Sequence, residues 1–87
     1  MRSIVLTEQS LEDLKHWLLN DVRLLRKVFD LMESMLRDPF AGIGKPEALK
    51  GDLSGFWSRR INEEHRIVYK VMQDSLILAS CRSHYKK

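Results

Sequence analysis

GKPEALKGDLSGFWSRRINEEHRIVY, residues 44–69, decides how this chain folds. Runs rich in β-branched and aromatic residues alternate in it with Gly, Asp, Ser and Asn, the pattern of short strands joined by tight turns. Phe56–Ile61 and His65–Met72 read as two strands across Asn62-Glu63-Glu64. If that loop is three residues long, Ile61 opposes His65 and Arg60 opposes Arg66. Two more strands flank the pair, Glu47–Leu49 before and Ser75–Cys81 after, set off by Gly51-Asp52, Ser54-Gly55 and Gln73-Asp74. Such short connections make consecutive strands antiparallel. Period-two alternation puts Ile67, Tyr69 and Val71 on one face, toward whatever covers the sheet.

The first half supplies the cover. Ser3–Leu6 (SIVL) is a short β-branched strand. A helical pattern opens after Thr7, with Ser10-Leu-Glu-Asp13 resembling a capping box and Ser10 as its N-cap. Leu11, Leu14 and Leu18 form its apolar face, widened by Trp17, while His16 reads as a solvated helical histidine. Asn20-Asp21 breaks the pattern and caps a second helix, carried by Leu25, Val28, Phe29, Met32, Met35 and Leu36. Arg23, Arg26 and Lys27 read as its solvated face, and Pro39 ends it at or before Asp38. So short a junction folds the helices into an antiparallel hairpin. The expectation is an α+β domain spanning residues 1–87, in the order β-α-α-β-β-β-β. It is an antiparallel sheet with the N-terminal helical hairpin packed on one face and the other face free and wet.

At 87 residues, with 44% hydrophobic residues, this is one folded domain rather than a disordered chain. A core of this size is stabilised by roughly 3–5 kcal/mol, so a partner subunit would help. The net charge of +3 is unevenly placed. From Lys45 onward Lys45, Lys50, Arg59, Arg60, Arg66, Lys70, Arg82, Lys86 and Lys87 face five acids, Glu47, Asp52, Glu63, Glu64 and Asp74. A basic excess in the strand half suits an anionic partner. Cys81 is the single cysteine, which excludes an internal disulfide and reads as a small buried hydrophobe. Trp57 reads as a core or subunit contact. There is no CxxC, HExxH or acidic cluster to suggest a metal, no P-loop spacing in FAGIGKP, and no apolar run of membrane-spanning length. A cytoplasmic protein without cofactor is the expectation.

Arg60 beside Arg66 places two like charges on one face. They are either neutralised by Glu63 and Glu64 or arranged to take an anion between them, since guanidinium forks match phosphate. Glu47 is either a surface charge or a general base, and His84-Tyr85 offers a titratable acid and a phenol. Together these suit acid–base cleavage of a phosphodiester in RNA, which carries its own 2′-hydroxyl nucleophile.

GKPEALKGDLSGFWSRRINEEHRIVYKV, with the ending CRSHY, closely resembles the Txe/YoeB family of bacterial toxin–antitoxin toxins, within the RelE-like superfamily, over essentially the whole chain. The resemblance implies a RelE-like fold and a ribosome-dependent endoribonuclease that cuts mRNA in the A site. It implies Glu47 as general base, Arg66 as the transition-state arginine, His84 as general acid and Tyr85 beside it. Arg60, Lys50 and Arg59 match positions that contact RNA. It also implies a cognate YefM/Axe-like antitoxin, operator DNA bound only through the antitoxin complex, and relatives that commonly dimerise. Ser83 departs from an often aromatic position, and Lys86-Lys87 extends past the usual end. ParE-type toxins, which act on gyrase, share the scaffold but lack this Glu/Arg/His-Tyr set. A noncatalytic RNA-binding module would need the basic face but not Glu47.

Overall fold

Asn62 closes the hairpin that the spacing demands. Its side-chain oxygen accepts from the backbone N–H groups of Glu64 (2.9 Å) and His65 (2.7 Å), and the Ile61 N–H donates to the His65 carbonyl at 2.9 Å. The Asx turn fixes the register, so Arg60 pairs with Arg66, Arg59 with Ile67 and Trp57 with Tyr69. The computed structural model describes residues 1–82; His84 and Tyr85, with Ser83, Lys86 and Lys87, lie outside the described residues.

The elements are β1 (Ser3–Leu6), α1 (Glu8–Asn20), α2 (Val22–Arg37), β2 (Glu47–Ala48), a 3₁₀ turn (Gly51–Leu53), β3 (Phe56–Arg60), β4 (Arg66–Val71) and β5 (Ser75–Ser80). They form one five-stranded sheet in the order β1-β5-β4-β3-β2. β2 through β5 pair antiparallel as expected. β1 does not: it runs parallel to β5, with Ser3 beside Ser75 and Leu6 beside Leu78, so the sheet is mixed. The turn argument that orients neighbouring strands does not reach β1, because no tight turn joins it to β5. Its direction is held by the Thr7 N–H and hydroxyl, both donating to the Leu78 carbonyl.

Thr7, not Ser10, caps α1: the Ser10 N–H donates to the Thr7 hydroxyl at 3.1 Å. Ser10 lies inside the helix, buried, with its hydroxyl on the Thr7 carbonyl. The buried stripe of α1 is accordingly Ser10, Asp13 and Trp17, and the expected Leu face is wrong in part, since Leu11 and Leu18 are exposed while Leu14 packs at the core edge. Asp21 caps α2 as expected, accepting from the Leu24 N–H at 3.2 Å. α2 buries Val28, Leu31 and Met35 completely, while Phe29 is half exposed. These meet Ile67 and Tyr69 of β4 and Leu76 and Leu78 of β5, so the core lies between the helices and one face of the sheet. Among the described residues no helix is long and apolar enough to cross a membrane.

Candidate functional site

The face of the sheet away from the helices inherits every second residue. Since Tyr69, Ile67 and Arg59 turn inward, Arg60, Ser58 and Phe56 of β3 and Arg66, Val68 and Lys70 of β4 turn outward. Glu47 of β2 stands directly opposite Ser58, which places it on the same outward face. The cross-strand register thus brings Glu47, Arg60 and Arg66 onto one surface, with Glu47 and Arg60 exposed and Arg66 half-buried. Lys50 follows β2 and shares with Glu47, Ala48 and Leu49 the walls of a shallow groove. This face is less wet than alternation suggests, because Leu49, Ser58 and Val68 on it are buried.

Neither arginine is neutralised by the hairpin acids. Among the described residues the one ion pair within 4.0 Å joins His65 to Glu64, at 3.6 Å. Two guanidinium groups side by side without carboxylates repel each other, and a phosphate between them would relieve that.

Glu47 reaches this face through a tight return of the chain. Gly44 and Lys45 both take the left-handed conformation, at φ +85° and +54°. The Arg60 N–H donates to the Gly44 carbonyl at 2.7 Å. A Cβ at Gly44 would lie 2.7 Å from Leu31 Cδ2, so only glycine lets the loop lie against α2 and β3.

Arg59, expected to contact RNA, is instead fully buried on the helix side. All of its donors are engaged. Nε donates to the Tyr69 hydroxyl (2.9 Å), Nη1 to Ser34 Oγ (2.7 Å) and the Ile43 carbonyl (3.1 Å), and Nη2 to the Asp38 (2.7 Å) and Ala41 (3.1 Å) carbonyls. Ser34 and Asp38 lie at the C-terminus of α2, where the helix dipole favours a cation. The Tyr69 hydroxyl in turn donates a hydrogen bond to the Pro39 carbonyl at 2.8 Å. Burial raises the Tyr69 phenol above its ordinary pKa, against the opposing pull of the Arg59 hydrogen bond. Arg59 is therefore the clamp of the 38–43 loop that delivers Glu47, and the missed signal was the alternation itself: a residue paired with Ile67 must face inward.

Two residues of α1 anchor the end of the sheet, a role for which the sequence carries no local signal. Asp13 accepts from the Cys81 N–H (3.0 Å) and Trp17 Nε1 donates to the Cys81 carbonyl (2.8 Å), holding both backbone groups of one residue from successive turns of α1. The Cys81 thiol is buried as expected, and burial with the nearby Asp13 charge pushes its pKa up to about 12. Such a thiol stays protonated and unreactive.

Two helices over one face of a mixed sheet, with arginines and a lone glutamate on the other, make up the RelE-like toxin architecture. The sequence profile of the YoeB-like toxin of bacterial type II toxin–antitoxin systems matches residues 6–85. The Escherichia coli K12 toxin YoeB is 51% identical over 82 residues, 94% of this chain and 98% of that one. Among solved structures, the YoeB dimer from Staphylococcus aureus superposes with a TM-score of 0.89 at 44% identity, covering 97% of this chain and 98% of that one. The heterotetrameric YoeB–YefM toxin–antitoxin complex from the same organism gives 0.88 at 43%, covering 98% and 99%. The chain belongs to the YoeB-like family of type II toxins.

Proposed function

We infer that this toxin is a ribosome-dependent endoribonuclease, acting in the cytoplasm on mRNA in the A site and so stopping translation. The observation that carries the reading is the register that sets Glu47, Arg60 and Arg66 on one face, with no acid among the described residues pairing the arginines. Glu47 takes the proton of a ribose 2′-hydroxyl, the 2′-oxygen bonds to the adjacent phosphorus, and the bond from phosphorus to the 5′-oxygen breaks. Arg66 meets the charge that develops on the phosphoryl oxygens. His84 returns a proton to the leaving 5′-oxygen, with Tyr85 beside it. The products are a 2′,3′-cyclic phosphate and a 5′-hydroxyl. Lys50 and Arg60 hold flanking phosphates. Arg59 has no part in contacting RNA, because its donors are spent within the fold.

The partner of this chain is a YefM/Axe-like antitoxin that folds over the toxin, and operator DNA is bound only through that complex. The Staphylococcus aureus complex supports the antitoxin partner, and the dimer from the same organism supports self-association.

The test is purified ribosomes programmed with a defined mRNA. Wild type is expected to cut the mRNA on ribosomes, leave naked mRNA intact, and stop when antitoxin is added. Glu47→Gln is expected to lose at least about 10²-fold in single-turnover rate, the scale of a positioned base. Wild-type rates from Glu47→Gln would remove Glu47 as the base.

A further inference from the structure

Ser58 is completely buried, and its hydroxyl is the one buried side-chain polar atom among the described residues that has no hydrogen-bond partner. Buried hydroxyls are nearly always paired, and an orphan costs stability, so it calls for a reason. A packing role supplies none: β-branched or aliphatic residues suit a mid-strand position better, and Val68 occupies the cross-strand place on β4. The location is informative. Ser58 is the residue directly opposite Glu47 on β2, and Arg60 follows it two places along β3 on the same face. Directly opposed residues have Cβ atoms about 5 Å apart, within reach of a rotated glutamate side chain. Because the hydroxyl is shielded from solvent, substrate does not reach it; only its neighbours on the face can.

We propose that Ser58 is a positioning residue for the general base. When RNA covers this face and strips water from Glu47, the carboxylate turns onto the Ser58 hydroxyl and accepts its proton in a hydrogen bond, while the hydroxyl oxygen accepts from Arg60. The hydroxyl has one donor and two acceptor sites, enough to serve both neighbours at once. In the free toxin this landing point is held ready and unpaired, a stability cost kept for the bound state. The carboxylate is thereby aimed at the ribose instead of sampling solvent. The proposal rests on the assignment of Glu47 as base.

The experiment is single-turnover cleavage on programmed ribosomes across toxin concentrations, with Ser58→Ala, Glu47→Gln and the double variant, alongside thermal melts of each. Ser58→Ala is expected to keep the wild-type Tm or exceed it, since an unpaired buried hydroxyl is removed without opening a large cavity. Its maximal rate should fall about tenfold to a hundredfold, while the concentration for half-maximal rate stays within about twofold. Adding Ser58→Ala to Glu47→Gln should cost nothing more, because the hydroxyl acts only through that carboxylate. A wild-type maximal rate in Ser58→Ala overturns the proposal. So does a rate loss matched by a lower Tm, or a loss that persists in full in the Glu47→Gln background. If Glu47→Gln itself cuts normally, the assignment of the base fails first and this proposal falls with it; an impaired Glu47→Gln beside a normal Ser58→Ala sinks the proposal alone.

Discussion

Arg66→Ala is expected to cut mRNA on ribosomes at least about 10²-fold more slowly than wild type, the usual loss when one charge stabiliser is removed from a transition state. Arg66 opens β4, opposite Arg60, on the face shared with Glu47, and its side chain makes no hydrogen bond or ion pair within 4.0 Å among the described residues. Its guanidinium therefore contributes little to the fold, and the variant's Tm should stay within a few degrees of wild type. The loss should appear in the maximal rate more than in ribosome affinity, because the charge it answers develops only as the phosphate becomes pentacoordinate. A variant that cuts at near wild-type rate, or one that simply unfolds, would contradict the assigned role.

Arg59, the residue just before Arg66's cross-strand partner Arg60, behaves in the opposite sense. Arg59→Ala is expected to lower stability by about 3 kcal/mol or more, since it strands the buried Ser34 hydroxyl and leaves three part-buried loop carbonyls without their donor. For a domain of this size that is a Tm drop of roughly 12 °C or more. Arg59→Lys should fall well short of rescue, because a single ammonium cannot span the fork that joins α2, the 38–43 loop and Tyr69. Melting curves decide it. An Arg59→Ala protein that melts within about 4 °C of wild type would mean the clamp contributes little.

The contrast between these two arginines shows what the sequence disclosed. Strand boundaries, the Asn62 hairpin and the pairing of Arg60 with Arg66 follow from period-two alternation and turn chemistry, which are local. Those same rules place Arg59 opposite Ile67, a core residue, so the parity of Arg59 in its strand is a stronger signal than its charge. The Thr7 cap was hidden because Ser10 offers an equally plausible box three residues on, and the choice between them depends on Thr7 also reaching the Leu78 and Ala79 carbonyls of β5. The parallel direction of β1 and the grip of Asp13 and Trp17 on Cys81 are long-range facts with no local signature. Charged residues on helices are usually solvated, yet Asp13 is buried as an acceptor for a backbone N–H. Family membership carries Glu47, Arg66, His84 and Tyr85 as proposed roles; the register explains why the first two share a surface.

The most direct measurement of the central claim, that this face cleaves RNA through its own 2′-hydroxyl, uses two mRNAs that differ by one atom. The cut position is mapped on programmed ribosomes, and the nucleotide on its 5′ side is replaced by its 2′-deoxy form. The account predicts that wild-type toxin cuts the all-ribose message to leave a 5′-hydroxyl downstream fragment and leaves the deoxy message whole at that position. Cleavage of the deoxy message at an undiminished rate, or a 5′-phosphate on the downstream fragment, would contradict it.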